Sequence, residues 1–177
     1  MRPIYRIRQF WSALTAAPSE PEAQHLEEVL SPSLMALFRQ QPPAEQRHSL
    51  KVYARLVAQG ENSPELLAAA LLHDVGKSRS PLCAWERALV VLVQAAAPDL
   101  ARRWGSGAQH DAARGWRRSF VVAAQHPAWG AEMARAAGAA PLTVNLILRH
   151  QDAPLPVWEA GQEDRLLFIL QNQDDNS

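Results

Sequence analysis

The chain of 177 residues has one cysteine, Cys83, so no disulfide can form within it. A reducing compartment is therefore expected, and with it a cytoplasmic location. Net charge is also missing, since 18 Lys and Arg balance 18 Asp and Glu. A balanced chain has no bulk attraction for a polyanion, which argues against nucleic acid as an extended partner. The longest apolar run, residues 88–97 interrupted by Gln94, is about half of what a membrane-spanning helix needs. No membrane span is expected, and the first residues lack the uninterrupted apolar stretch of a secretory leader. Alternating β-branched runs and internal repeats are absent too, so no sheet is expected. A homo-oligomer is compatible with this composition.

What is present is helical periodicity. The spacing predicts helices over residues 31–41 and 44–59, the second with Leu50, Tyr53, Ala54 and Val57 on one face. Asn62-Ser63-Pro64-Glu65 reads as a helix start, with Ser63 as N-cap and Pro64 in the first turn. That helix should run to about residue 74. Pro81 should open a long helix through about 104, and a glycine-containing loop should span 105–115. Pro127 should start a helix ending near Gly138, Pro141 one ending near His150, and residues 162–173 the last. The expected fold is one all-α domain.

The chemistry concentrates at His73-Asp74. This pair ends the apolar run Leu66–Leu72 and is followed at once by Val75-Gly76-Lys77. A polar pair closing so apolar a helix is costly to bury unless something pairs it. His73 and Asp74 lie about 100° apart around a helix, so both can reach one ion beyond its end, where Gly76 is expected to let the helix stop. Further candidate ligands lie far apart in sequence: His48, His126, His150 and Asp174. All except His48 fall at or near expected helix ends, which can converge as they do in bundle-core metal sites. Imidazole with carboxylate suits Fe, Mn or Ni, with Mg or Zn possible, and the set suffices for one or two divalent ions. Arginines cluster at residues 102–118, with Asp111 as the lone acid there, and are candidates to hold a phosphate.

These residues resemble the HD-domain metal-dependent phosphohydrolases. The ordered pattern His, His-Asp, His, His, Asp is met by His48, His73-Asp74, His126, His150 and Asp174. Residues 68–77 are similar to the family's central helix with its His-Asp-x-Gly-Lys ending. Gln125-His126-Pro127-Ala128-Trp129-Gly130 looks like the His-Pro-x-x-Gly segment of two-metal members. The likeness covers roughly residues 44–175. It implies an HD-like helical bundle over 44–177 with a helical extension, 1–43, packed on it. It also implies that His48, His73, Asp74 and Asp174 hold a first metal, and that His126 and His150 hold a second with Asp74 bridging. Asp175 is the alternative to Asp174.

By the same resemblance Asp74 and Lys77 are catalytic, Lys77 neutralising substrate phosphate, while Arg117, Arg118 and Arg149 are candidate phosphate contacts. The implied activity is hydrolysis of a small phosphate ester, such as a nucleotide or dinucleotide, by metal-activated water. The chain departs from members that cleave cyclic dinucleotides, because Gln151 follows His150 and no Gly-Tyr-Pro occurs. Two alternatives share the ligand set: a di-iron oxygenase, and a non-catalytic domain that binds metal or nucleotide.

Overall fold

A computed structural model describes residues 26–106, 115–153 and 161–176, and within these every regular element is helical. Pro21-Glu22, which reads as a further helix start, lies outside the described residues, as do Arg2, Arg6, Arg8, His25 and His110. The helices are α1 (Pro32–Arg39), α2 (Pro43–Ala58), α3 (Pro64–Leu72), α4 (Ala84–Ala96), α5 (Pro98–Gly105), α6 (Arg117–Ala136), α7 (Pro141–Arg149) and α8 (Gln162–Asp175), with one 3-10 turn at Val75–Arg79. Proline opens α1, α2, α3, α5 and α7, where its missing N–H costs nothing. Ser31 and Ser63 cap α1 and α3 by accepting the Leu34 and Leu66 amides.

α3 is apolar on every side from Leu66 to Leu72, so it is stable only when surrounded. The chain surrounds it with α1, α2, α7 and α8. Leu26, Leu30, Leu34 and Phe38 belong to the same core as α3, so the described part of the N-terminal extension is packed into it. Gln41, itself buried, donates to the Leu71 carbonyl at 2.9 Å and ties the end of α3 to the α1–α2 link. A smaller cluster of Val90, Ala101 and Phe120 joins α4, α5 and α6, with Trp104 against it. No helix among the described residues is long and apolar enough to cross a membrane.

Three expectations need correction. The helix expected from Pro81 to about residue 104 is two helices, beginning at Ala84. Glu86 accepts the Cys83 amide and sets that start. Pro98 keeps Ala97 out of helical backbone (φ −150°, ψ 68°) and separates α4 from α5. Secondly, Pro127 does not start a helix but sits inside α6. A proline there leaves the Ala123 carbonyl without its amide donor. His126 replaces that donor, its Nδ1 lying 3.0 Å from the Ala123 oxygen. Thirdly, Gly76 is not what stops α3, which already ends at Leu72. It lies in the 3-10 turn directly against α6, where a Cβ would meet the His126 carbonyl oxygen at 2.0 Å and the Gly130 nitrogen at 2.7 Å.

Gly76→Ala is therefore expected to lower unfolding free energy in urea by about 2–3 kcal/mol, because two backbones must separate. Gly60→Ala, at φ +85° with nothing within 4 Å, should cost only about 1 kcal/mol. Equal losses for the two would contradict the packing argument.

Candidate metal centre

Five elements bring the candidate ligands together. His48 comes from the middle of α2 and Asp174 from the last turn of α8. His73 and Asp74 follow α3, His126 precedes the internal proline of α6, and His150 follows α7. His73, Asp74, His126 and His150 are buried, whereas the side chains of His48 and Asp174 are about one quarter exposed.

Three imidazoles are oriented by one device. Helices leave their last carbonyls without backbone donors, and Ala70 and Ile147 lie in the last turns of α3 and α7. His73 Nδ1 donates to the Ala70 oxygen at 2.9 Å and His150 Nδ1 to the Ile147 oxygen at 2.7 Å. His126 does the same for Ala123, which Pro127 has deprived of its donor. A carbonyl can only accept, so each Nδ1 carries a hydrogen and each neutral ring presents a bare Nε2 lone pair inward.

Those lone pairs converge on other acceptors. His126 Nε2 lies 3.2 Å from His150 Nε2 and 3.2 Å from Asp74 Oδ1, and His150 Nε2 lies 3.8 Å from the same oxygen. On the other side of the carboxylate, His73 Nε2 is 3.6 Å from Asp74 Oδ2 and 3.3 Å from Asp174 Oδ1, while His48 Nε2 is 2.6 Å from Asp174 Oδ1. His73 Nε2 is fully buried and has no hydrogen-bond partner. Acceptors facing acceptors repel unless a proton or a cation stands between them. The donor atoms of His48, His73 and Asp74 all lie within 4.8 Å of one another, and so do those of Asp74, His126 and His150. The arrangement fits one or two cations with Asp74 common to both positions. Asp174, not the exposed Asp175, is the aspartate that faces the cluster.

The electrostatics agree with this geometry. Burial alone would lower His73, but the carboxylates of Asp74 and Asp174 outweigh it and lift the imidazole to about 8. A proton thus serves at His73 where no cation does. Burial, with repulsion from His73 and His126, pushes His150 down to about 3 and keeps it neutral. Burial would raise Asp74 and Asp174. His73 and Lys77 nevertheless hold Asp74 well below the usual carboxylate range, and His48 and His73 do the same for Asp174. Lys77 Nζ is 2.6 Å from Asp74 Oδ2 and 3.5 Å from Glu45 Oε2. Burial would lower its pKa, but those carboxylates raise it.

The arginines are placed otherwise. Arg118 is gripped by both oxygens of the buried Glu86 at 2.8 Å and donates to Ser80. Arg149 pairs with Glu163 and Asp164 at 2.7 Å and clamps α7 to the start of α8. Arg117 is exposed, and none of the three lines the cavities beside the centre. A guanidinium settles on the nearest good carboxylate, and the sequence does not show which one that is. The residues that reasoning from sequence missed are Glu45, Arg87 and Gln151. Glu45 sits three residues before His48, hence on the same helix face, so periodicity could have found it. Gln151 directly follows His150 and reaches to 3.4 Å from His126 Nε2. Arg87 has no local signal, because α4 reaches the site only through tertiary packing.

No protein-family model, no curated protein and no solved structure matches the chain.

A pH dependence follows from His73. Its folded pKa is raised above the ordinary value of 6.5, so its proton stabilises the cation-free fold below about 6.5, and this is lost as pH rises through about 8. A cation needs that nitrogen deprotonated. His150, neutral throughout, adds no dependence in this range. Mn²⁺ affinity measured by calorimetry should therefore rise up to about tenfold per pH unit between 6.5 and 8, with proton release on binding. An affinity flat across that interval would contradict it.

Proposed function

We propose that the chain is a metal-dependent phosphohydrolase of the HD-domain kind, acting on a small phosphate ester such as a nucleotide. The observation that carries this reading is the set of bare Nε2 lone pairs gathered on both sides of Asp74, with the Lys77 ammonium against that same carboxylate. His48, His73, Asp74 and Asp174 would hold one ion and Asp74, His126 and His150 a second. Fe, Mn or Ni suit the mixed donors best, with Mg or Zn possible. Bound there, such ions supply an activated water at neutral pH and Lewis-acid stabilisation of phosphoryl oxygens.

The chain's own residues supply the rest. Asp74 presents one oxygen to each side and so sets the separation of the two positions. The carbonyl contacts of His73, His126 and His150 hold the rings in place before any substrate arrives. Lys77 donates to Asp74 and is ion-paired with Glu45, and of its three N–H donors it keeps some for a phosphoryl oxygen. Its charge would offset the charge that grows on phosphate during displacement.

Phosphate release should appear in a screen of phosphate esters with Mn²⁺, Ni²⁺, Fe²⁺ and Mg²⁺. Lys77→Met should lower kcat by about 10²-fold with metal content unchanged. His126→Ala should remove about half of the bound metal, measured by elemental analysis, if two ions share Asp74. Bound iron with oxygen consumption and no phosphate release would instead mark the centre as that of an oxygenase.

A further inference from the structure

A cavity of about 240 Å³ opens directly beside His126 and Lys77, between α4 and the body of the protein. Its polar side carries Lys77, Arg87, Glu45 and His126. Much of the remaining lining is apolar, including Leu82, Val90, Val122 and the exposed Val91. Glu45 is buried in the first turn of α2 and bridges the two cations, with Lys77 at 3.5 Å from one oxygen and Arg87 on the other. Arg87 also donates through Nε to the Leu82 carbonyl at 3.2 Å. Beyond these contacts, its ion pair with Glu45 and the Lys77 hydrogen bond to Asp74, both cations keep N–H donors. The uncommitted donors suit the oxygens of one phosphate.

We propose that this cavity seats the apolar body of a phosphate monoester, with Arg87 and Lys77, both held by Glu45, gripping its single phosphate. The proposal rests on the phosphohydrolase reading of the adjacent centre and narrows it to a substrate class. Outside the metal positions, the cavity offers a second phosphate no further cation. Lys77 and Arg87 are the cations of this cavity, and Glu45 and Asp74 already balance them. The second opening, of about 450 Å³, shares Gln94 and Gln151 with this cavity and is lined by Asp152, Asp174 and Asp175, with no Lys or Arg among its lining residues to take another phosphate. Size and polarity favour an uncharged ring or branched alkyl group, since about 150 Å³ already accepts a benzene-sized guest. The amides of Gln94 and Gln151, both on the lining, offer polar contacts to a heteroatom at its edge. Glu45 acts as a positioning residue, because it holds Arg87 and Lys77 side by side.

The test uses a probe that is not hydrolysed. Benzylphosphonate, orthophosphate and pyrophosphate are titrated by calorimetry into the full chain loaded with manganese, the metal being in excess of total phosphorus. Benzylphosphonate should bind at least tenfold more tightly than either inorganic anion. Arg87→Met should weaken benzylphosphonate and orthophosphate alike, about tenfold, with metal content unchanged. Leu82→Ala, at a half-buried wall position, should weaken benzylphosphonate alone. Glu45→Gln should weaken both, and Glu45→Asp should restore part of the loss. Equal affinity for benzylphosphonate and orthophosphate, tighter binding of pyrophosphate, or an Arg87→Met variant that binds both probes normally would each overturn the proposal. If the binding pattern holds but phenyl phosphate releases no phosphate with any metal, the seat stands and the hydrolytic reading of the centre falls.

Discussion

The organisation of this protein depends on one constraint: three buried imidazoles each spend Nδ1–H on a main-chain carbonyl and must turn Nε2 toward the Asp74 carboxylate. An unsatisfied buried acceptor costs about 1–3 kcal/mol, and here several face one another within 3–4 Å. A proton at His73 and the ammonium of Lys77 relieve part of that repulsion. A structure that keeps such a cluster at its centre, and orients it by the same contact three times, is built around positive charge.

The packing serves the same end. α3 is wholly apolar, so surrounding helices bury it, and burial carries His73 and Asp74 into the interior with it. The 3-10 turn that follows can lie against α6 because residue 76 is a glycine at the point of closest approach, with Gly130 opposite it also leaving little room for a side chain. That approach brings His126 within reach of Asp74. Pro127, one residue further on, frees the carbonyl that orients His126. A residue that reads as a helix start thus works as an internal break whose loose end His126 ties off.

Much of this was legible in the chain. Helix starts at Ser31-Pro32, Ser63-Pro64 and Pro141 follow from capping and from proline's fixed φ, both local properties. The cluster members His48, His73, Asp74, His126, His150 and Asp174 were recognisable because their order and residue types restrict the chemistry. What was misread depends on distance in space. The break at Ala97-Pro98 was masked by the apolar run on either side of it. Arg118 and Arg149 looked available for phosphate, but each has a carboxylate partner on another element. Arg87, conversely, carries no local mark, and it reaches the cavity only because α4 folds over it.

By itself, then, the sequence determined that the chain is helical, where most helices begin, and which side chains are of a type that could ligate a metal, because propensity, capping and donor type are properties of residues and near neighbours. Tertiary structure alone decided that Asp74 stands between two groups of imidazoles, that Asp174 rather than Asp175 faces them, and that Glu45 joins Lys77 to Arg87. Those facts are distances between residues far apart in the chain, and only the packing of helices around α3 fixes such distances.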